Sequence, residues 1–222
     1  MKKSLTKTAD KETRKIMRQI KPSTEAEMVC QFLKMEIDSD RFTYAIESIL
    51  KEMQLNRDII TNGNIDSDEE NALRATVLQK FRGYRDSELF ERFPQNIKWM
   101  WTTFGEGDIS KILYMEYSYW NDLSNYTGSP LEAAKKISAG ERAFDIWNDD
   151  FIKGAEWLKE GNKFPPLIFL TDKNETRYIV LEGHARMTAY GLAPDFFKDV
   201  QVLLGYCDSD ELNKWYGEIV RP

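Results

Sequence analysis

Histidine is the scarcest chemically versatile residue in this 222-residue chain, because only one is present. A single histidine excludes every metal site that needs two or more imidazole ligands. Cysteine is nearly as scarce, since Cys30 and Cys207 are the only two and share no Cys-x-x-Cys spacing. We interpret both as reduced core residues. The sequence therefore predicts neither a multi-histidine metal centre nor a disulfide framework.

Long apolar runs are missing as well. No run approaches the 18 residues that a membrane-spanning helix requires, so we expect no membrane partner. The basic residues at the start of the chain are not followed by the apolar segment of a signal peptide. These two absences predict a cytoplasmic protein.

Positive charge is in short supply except at the N-terminus. The formal net charge is −6, but residues 1–24 hold eight basic and two acidic side chains, a net charge of +6. The other 198 residues therefore carry −12. Because binding to phosphate backbones needs clustered lysine and arginine, we expect nucleic acid as a partner only through residues 1–24. We predict that this segment is a basic, poorly ordered arm.

Residues 25–126 are predicted to form a helical domain. Capping boxes at Thr24-x-x-Glu27 and Ser67-x-x-Glu70 indicate two helix starts, and Gly83 indicates a helix end. Residues 81–126 hold 12 of the 28 aromatic residues, which we interpret as core packing between helices rather than as a base-stacking surface. Five apolar residues there follow helical spacing: Ile109, Leu113, Tyr117, Trp120 and Leu123.

Turn-forming residues at 125–130 mark the start of a second predicted domain, residues 127–222. A helix is expected from about Asn148 to Gly161, followed by short apolar strands at 165–170, 177–181 and 201–206. A closing helix is expected over 208–216. The overall prediction is an α+β protein with a helical N-terminal domain and a small α/β C-terminal domain.

The segment richest in possible chemistry is 178–191, where an apolar strand leads through Glu182 and Gly183 into a helix. A strand followed by a glycine and a helix exposes backbone N–H groups at the positive end of the helix dipole, which suits an anion. Arg186 in the first turn would add a bidentate contact to phosphate or carboxylate. The same dipole would keep His184 neutral, and Glu182 would serve as a general base or a Mg²⁺ ligand. A purely structural alternative remains open, in which Glu182 caps the helix, Arg186 pairs with an acid and His184 is hydrogen-bonded and inert.

The run Leu181-Glu-Gly-His-Ala-Arg-Met-Thr-Ala resembles the phosphate-binding box of the ParB/sulfiredoxin-like superfamily. The resemblance covers residues 148–206 and includes the preceding Pro-Pro-Leu-Ile-Phe-Leu strand. It implies a ParB/sulfiredoxin-like α/β fold for residues 127–222 and ATP or CTP with Mg²⁺ as the cofactor. Gly183, His184, Ala185 and Arg186 would bind the nucleotide, and Glu182 and His184 would be catalytic.

Two departures from the family pattern bear on activity. Ala185 stands where the family has a basic residue, and His184 stands where sulfiredoxin has its nucleophilic cysteine, so the resemblance does not imply that reductase activity. The leading hypothesis is a nucleotide- or phosphate-binding protein, compatible with phosphoryl transfer or hydrolysis. The alternatives are a non-catalytic DNA-associated partition or regulatory module that uses residues 1–24, and a scaffold in which the box no longer acts.

Overall fold

The computed structural model describes residues 19–218, and within that range the chain forms nine α-helices. In chain order they are α1 (Glu25–Glu36), α2 (Thr43–Glu52), α3 (Asp58–Thr61), α4 (Asp68–Arg82), α5 (Ser118–Leu123), α6 (Pro130–Ser138), α7 (Asp149–Lys159), α8 (His184–Leu192) and α9 (Ser209–Glu218). The two predicted helix starts and the helix end are confirmed, although the carboxylates of Glu27 and Glu70 accept hydrogen bonds from groups other than their cap residues. The hydroxyl of Thr24 accepts the N–H of Glu27 at 3.1 Å, that of Ser67 accepts the N–H of Glu70 at 3.3 Å, and α4 ends at Gly83 with φ +68°.

Six strands within the same range form one mixed sheet. They are β1 (Gln19–Pro22), β2 (Lys98–Phe104), β3 (Ile112–Leu113), β4 (Leu167–Asp172), β5 (Tyr178–Glu182) and β6 (Val200–Cys207), in the spatial order β1-β2-β6-β4-β5-β3. The β4–β6 and β3–β5 pairs are parallel, and the other three pairs are antiparallel. The protein thus belongs to the α+β class, as predicted.

The sheet lies between two layers of helices, because both of its faces are apolar. Adjacent residues of β4 point to opposite faces. Ile168 and Leu170 join a core with α1, α4 and α9, whereas Leu167 and Phe169 join a second core with α6, α7 and α8. Every residue of β5 is buried, which explains why its sequence from Tyr178 to Leu181 is continuously apolar instead of alternating.

The expectation of an entirely helical segment before residue 126 requires correction, since β2 and β3 lie within it. β2 is paired on both edges, and it supplies Trp99 to one core and Phe104 to the other. Because both of its faces are covered, its sequence shows no alternating pattern. The residues at helical spacing from Ile109 to Leu123 do not share a helix either. They form a 3₁₀ turn, then β3, then α5.

Strands from both predicted parts of the chain pair in the same sheet. β2 and β3 pair with β6 and β5, so the sheet is common to the two parts that the sequence suggested, on either side of residues 126 and 127. The arm predicted for residues 1–24 falls mostly on residues 1–18, outside the described range. Its last residues are in the sheet as β1, where Lys21 Nζ lies 3.5 Å from a carboxylate oxygen of Glu27. Within residues 19–218, no helix combines the length and the apolar character that crossing a membrane requires.

Candidate functional site

The turn between β5 and α8 has the strand–glycine–helix form that the sequence predicted. Gly183 adopts φ +104°, and a Cβ atom there would lie 2.4 Å from Cδ2 of Leu167, so any other residue would strain the backbone and displace the Leu167 side chain. No side chain caps α8, and its first turn contains no acidic residue. The first intrahelical hydrogen bond runs from the Met187 N–H to the Gly183 carbonyl, so the N–H groups before Met187 have no partner inside the helix. Ala185, in this turn, is exposed to solvent.

Glu182 and Arg186 bind each other across this turn. Glu182 is 8% exposed, and its carboxylate accepts a hydrogen bond from Nη2 of Arg186 in an ion pair. Nη1 of Arg186 donates to the carbonyls of Pro165 and Pro166 at 2.9 and 2.6 Å. The arginine therefore fastens the segment that precedes β4 to the first turn of α8. This arrangement agrees with the structural alternative for Arg186, whereas Glu182 is not a helix cap.

The single histidine is held as a hydrogen-bond acceptor. Nε2 of His184 accepts the backbone N–H of Met115 at 3.3 Å, and its ring stacks on Trp120 with centroids 5.2 Å apart and an interplanar angle of 23°. Burial lowers the pKa of His184 to about 3, with further lowering by the charges of Arg82 and Arg186. The neutral imidazole expected from the sequence is thus confirmed, although burial and two arginines are the causes found here instead of the helix dipole.

Two charged residues that the sequence did not single out are electrostatically coupled to this turn. Glu36 is the last residue of α1, and Arg82 is the last residue of α4. The side chain of Arg82 is half-buried, and its Nε is fully buried without a hydrogen-bond partner. Its guanidinium lies 5.6 Å from the ring centroid of Phe42. We call Glu36, Arg82, Glu182, His184 and Arg186 the arginine–glutamate cluster.

Electrostatics link the members of this cluster. The pKa of Glu36 is raised to about 7, first by burial and then by the negative charge of Glu182, against the opposing charges of Arg82 and Arg186. A carboxyl group that titrates near neutral pH inside a half-buried charged cluster is typical of functional sites, although structural networks show the same effect. No local pattern could have revealed this, because Glu36 and Arg82 lie about 100 to 150 residues away from the box in sequence.

Comparison with known proteins gives no further assignment. No protein-family model, no curated protein and no solved structure matches the chain. Among residues 19–218, no group of three or more histidine, cysteine, aspartate or glutamate side chains is arranged to hold a metal ion. The charges and contacts of the arginine–glutamate cluster are therefore the main structural indication of function.

The raised pKa of Glu36 has a testable effect on stability. The unfolded chain loses the Glu36 proton near pH 4.5 and the folded chain near pH 7, so the carboxyl contributes stability below pH 4.5 that is lost as the pH rises through 7. Glu36→Gln, which mimics the protonated form, is expected to stabilise the fold by about 1–3 kcal/mol at about pH 8 and by little at about pH 5. Urea denaturation at both pH values measures this.

The exposed Glu106 provides the matched control, because Glu106→Gln removes a carboxylate without changing the cluster. An equal effect of Glu36→Gln at both pH values would contradict the raised pKa.

Proposed function

We propose that the arginine–glutamate cluster binds the phosphate group of a nucleotide or of another small phosphorylated ligand, and that residues 127–222 are of ParB/sulfiredoxin-like type. The observation that carries the proposal is Arg82, whose buried Nε has no hydrogen-bond partner and whose positive charge acts on His184 in the first turn of α8. A buried donor without an acceptor is costly, and a phosphate that binds the half-buried guanidinium of Arg82 would supply the acceptor that the side chain lacks.

The first turn of α8 supports the same ligand class. Its N–H groups before Met187 lack intrahelical partners, no side chain caps the helix, and Ala185 is open to solvent. An anion at this turn would therefore meet backbone donors, in a place where the positive charge of Arg82 already acts on His184.

The contacts of the other cluster members favour binding over catalysis. Glu182 is engaged by Arg186, and Nε2 of His184 already accepts a backbone hydrogen bond. In this proposal Arg186 is a positioning residue that holds the turn, and Arg82 takes the role of the charged ligand-binding residue. ATP and CTP are the ligands to test first, and Mg²⁺ would arrive with the nucleotide.

The test is isothermal titration calorimetry with ATP, CTP and inorganic triphosphate, with and without Mg²⁺. Wild-type protein is expected to bind at least one of them, and Arg82→Gln is expected to weaken binding about tenfold or more, since a charge-assisted hydrogen bond contributes about 1.5–3 kcal/mol. Arg85→Gln is the matched control, because Arg85 is exposed and paired with Glu25. The proposal fails if wild type binds none of the three ligands, or if Arg82→Gln binds as tightly as wild type.

A further inference from the structure

Two arginine side chains lie against one aromatic ring, and one of them belongs to the arginine–glutamate cluster. The guanidinium carbon of Arg41 is 5.0 Å from the ring centroid of Phe42, and that of Arg82 is 5.6 Å from the same centroid. The two carbons are therefore at most about 10.6 Å apart. Phe81 packs against Phe42 in a T-shaped arrangement, with the two ring centroids 5.4 Å apart. We call Arg41 and Arg82 the arginine pair.

Neither member of the arginine pair forms an ion pair with a carboxylate of residues 19–218. Four other arginines in that range do so: Arg57, Arg74, Arg85 and Arg186. Arg41 is exposed, whereas Arg82 is half-buried and its Nε is fully buried without a hydrogen-bond partner. Two positive charges held at one ring repel each other when no carboxylate is paired with them. An anion that contacts both guanidinium groups would relieve this repulsion.

The positive charge of Arg41 acts on two groups that surround the candidate site. Burial and the charge of Glu182 raise the pKa of Glu36, and the charge of Arg41 opposes this rise. Burial also raises the pKa of Tyr119, and the charge of Arg41 again opposes the effect. The Tyr119 ring packs on that of Trp120, which stacks on His184 in the first turn of α8. Arg41 is thus electrostatically coupled to the surroundings of the turn on which the charge of Arg82 acts.

The start of α2 adds positive potential next to the arginine pair. Phe42 is the N-cap residue of α2, no side chain caps this helix, and its first turn contains no acidic residue. The Ile46 N–H donates to the Phe42 carbonyl in the first intrahelical hydrogen bond, so the N–H groups of Tyr44 and Ala45 have no partner inside the helix. The N-terminal end of a helix carries a partial positive charge that favours anions. Two guanidinium groups and a positive helix end therefore meet at Phe42.

We propose that Arg41 is a second phosphate-binding arginine of the candidate site, and that the arginine pair makes the site prefer ligands with two or three linked phosphate groups over ligands with one. Nucleoside di- and triphosphates are the ligand class that this preference selects. The inference rests on the proposed function, in which Arg82 binds phosphate. Each added phosphate group brings further oxygen acceptors and negative charge, which a second planar guanidinium can bind. A single phosphate group leaves part of the positive charge of the pair without a counter-ion.

Isothermal titration calorimetry with AMP, ADP and ATP, at one pH and one ionic strength and without Mg²⁺, tests this preference. Wild-type protein is expected to bind ATP at least about tenfold more tightly than AMP. Arg41→Gln is expected to weaken the binding of ATP about tenfold, because one charge-assisted contact is lost. Arg142→Gln is the matched control, since Arg142 is also exposed and also lies over an aromatic ring, that of Trp147, outside the candidate site. Its loss is expected to leave the affinity for ATP unchanged.

The possible outcomes separate this inference from the proposed function. If Arg82→Gln weakens ATP binding and Arg41→Gln does not, phosphate binding stands and Arg41 is not part of the site. If wild type binds AMP as tightly as ATP, the preference for linked phosphate groups is wrong although phosphate binding stands. If wild type binds none of the three nucleotides and no inorganic triphosphate, the proposed function fails and this inference fails with it. Circular dichroism and thermal melting confirm that Arg41→Gln, at an exposed position, leaves the fold intact.

Discussion

Replacing Arg186 with leucine is expected to lower the free energy of unfolding by about 3–5 kcal/mol, because it leaves the buried Glu182 carboxylate without its cation. The guanidinium also donates to the carbonyls of Pro165 and Pro166, and these acceptors would lose their partner too. Urea denaturation at neutral pH, followed by circular dichroism, measures the loss.

The exposed ion pair between Arg85 and Glu25 provides the control for charge removal in general. Its side chains are 66% and 38% exposed, so Arg85→Leu is expected to cost less than about 1 kcal/mol.

A second comparison isolates the buried pair. Glu182→Gln/Arg186→Leu removes both charges and is expected to be less destabilising than the sum of Glu182→Gln and Arg186→Leu measured singly, as expected for directly interacting groups. Strict additivity would show that the two side chains do not support each other in solution.

Local signals made part of the fold predictable. The hydroxyls of Thr24 and Ser67 cap their helices by hydrogen bonds to residues three positions later. Gly183 is needed because β5 turns directly into α8 there, with a positive φ. The apolar run that became β5 is continuous because both of its faces are covered. Each of these features is decided by residues close together in sequence, so the sequence alone was enough to predict them.

Long-range pairing decided the features that the sequence did not reveal. β2 lies between β1 and β6, and β6 follows it by about 100 residues in the chain. Trp99 and Phe104 serve different cores, so the strand lacks the alternation by which half-buried strands are recognised. Aromatic density in this region indicated burial correctly, but burial against a sheet and burial between helices have the same composition.

The same limit applies to the candidate site. Glu182, Gly183, His184 and Arg186 are within one short segment and were selected for that reason. The charge of Arg82 acts on His184 and Glu36 because α4 and α1 pack in the same core on one side of the sheet. The sequence could suggest which turn suits an anion. It could not show that Arg186 donates a hydrogen bond to Glu182. Nor could it show that the Nε of Arg82, about 100 residues away in sequence, is buried without a hydrogen-bond partner.

The low pKa of His184 leads to the second large prediction. The folded chain holds the imidazole neutral down to about pH 3, whereas an unfolded histidine takes up a proton near pH 6.5. Because the unfolded state binds more protons in this window, the stability contribution is present above pH 6.5 and is lost as the pH falls towards 3. Relative to His184→Gln, which keeps an acceptor for the Met115 N–H, wild type is expected to lose about 2–3 kcal/mol between pH 7 and pH 4.

The titration of His184 can be followed by NMR without resonance assignment, because the chain has one histidine and its imidazole protons give a single set of resonances. We expect the Hε1 chemical shift of the folded protein to remain constant from about pH 8 to about pH 5, while the urea-unfolded chain titrates near 6.5. Chemical denaturation of wild type and His184→Gln across the same range gives the matching free energies. A folded-state midpoint within about one pH unit of the unfolded value would show that the imidazole is hydrated, and that its stacking on Trp120 and its bond to Met115 do not hold it neutral.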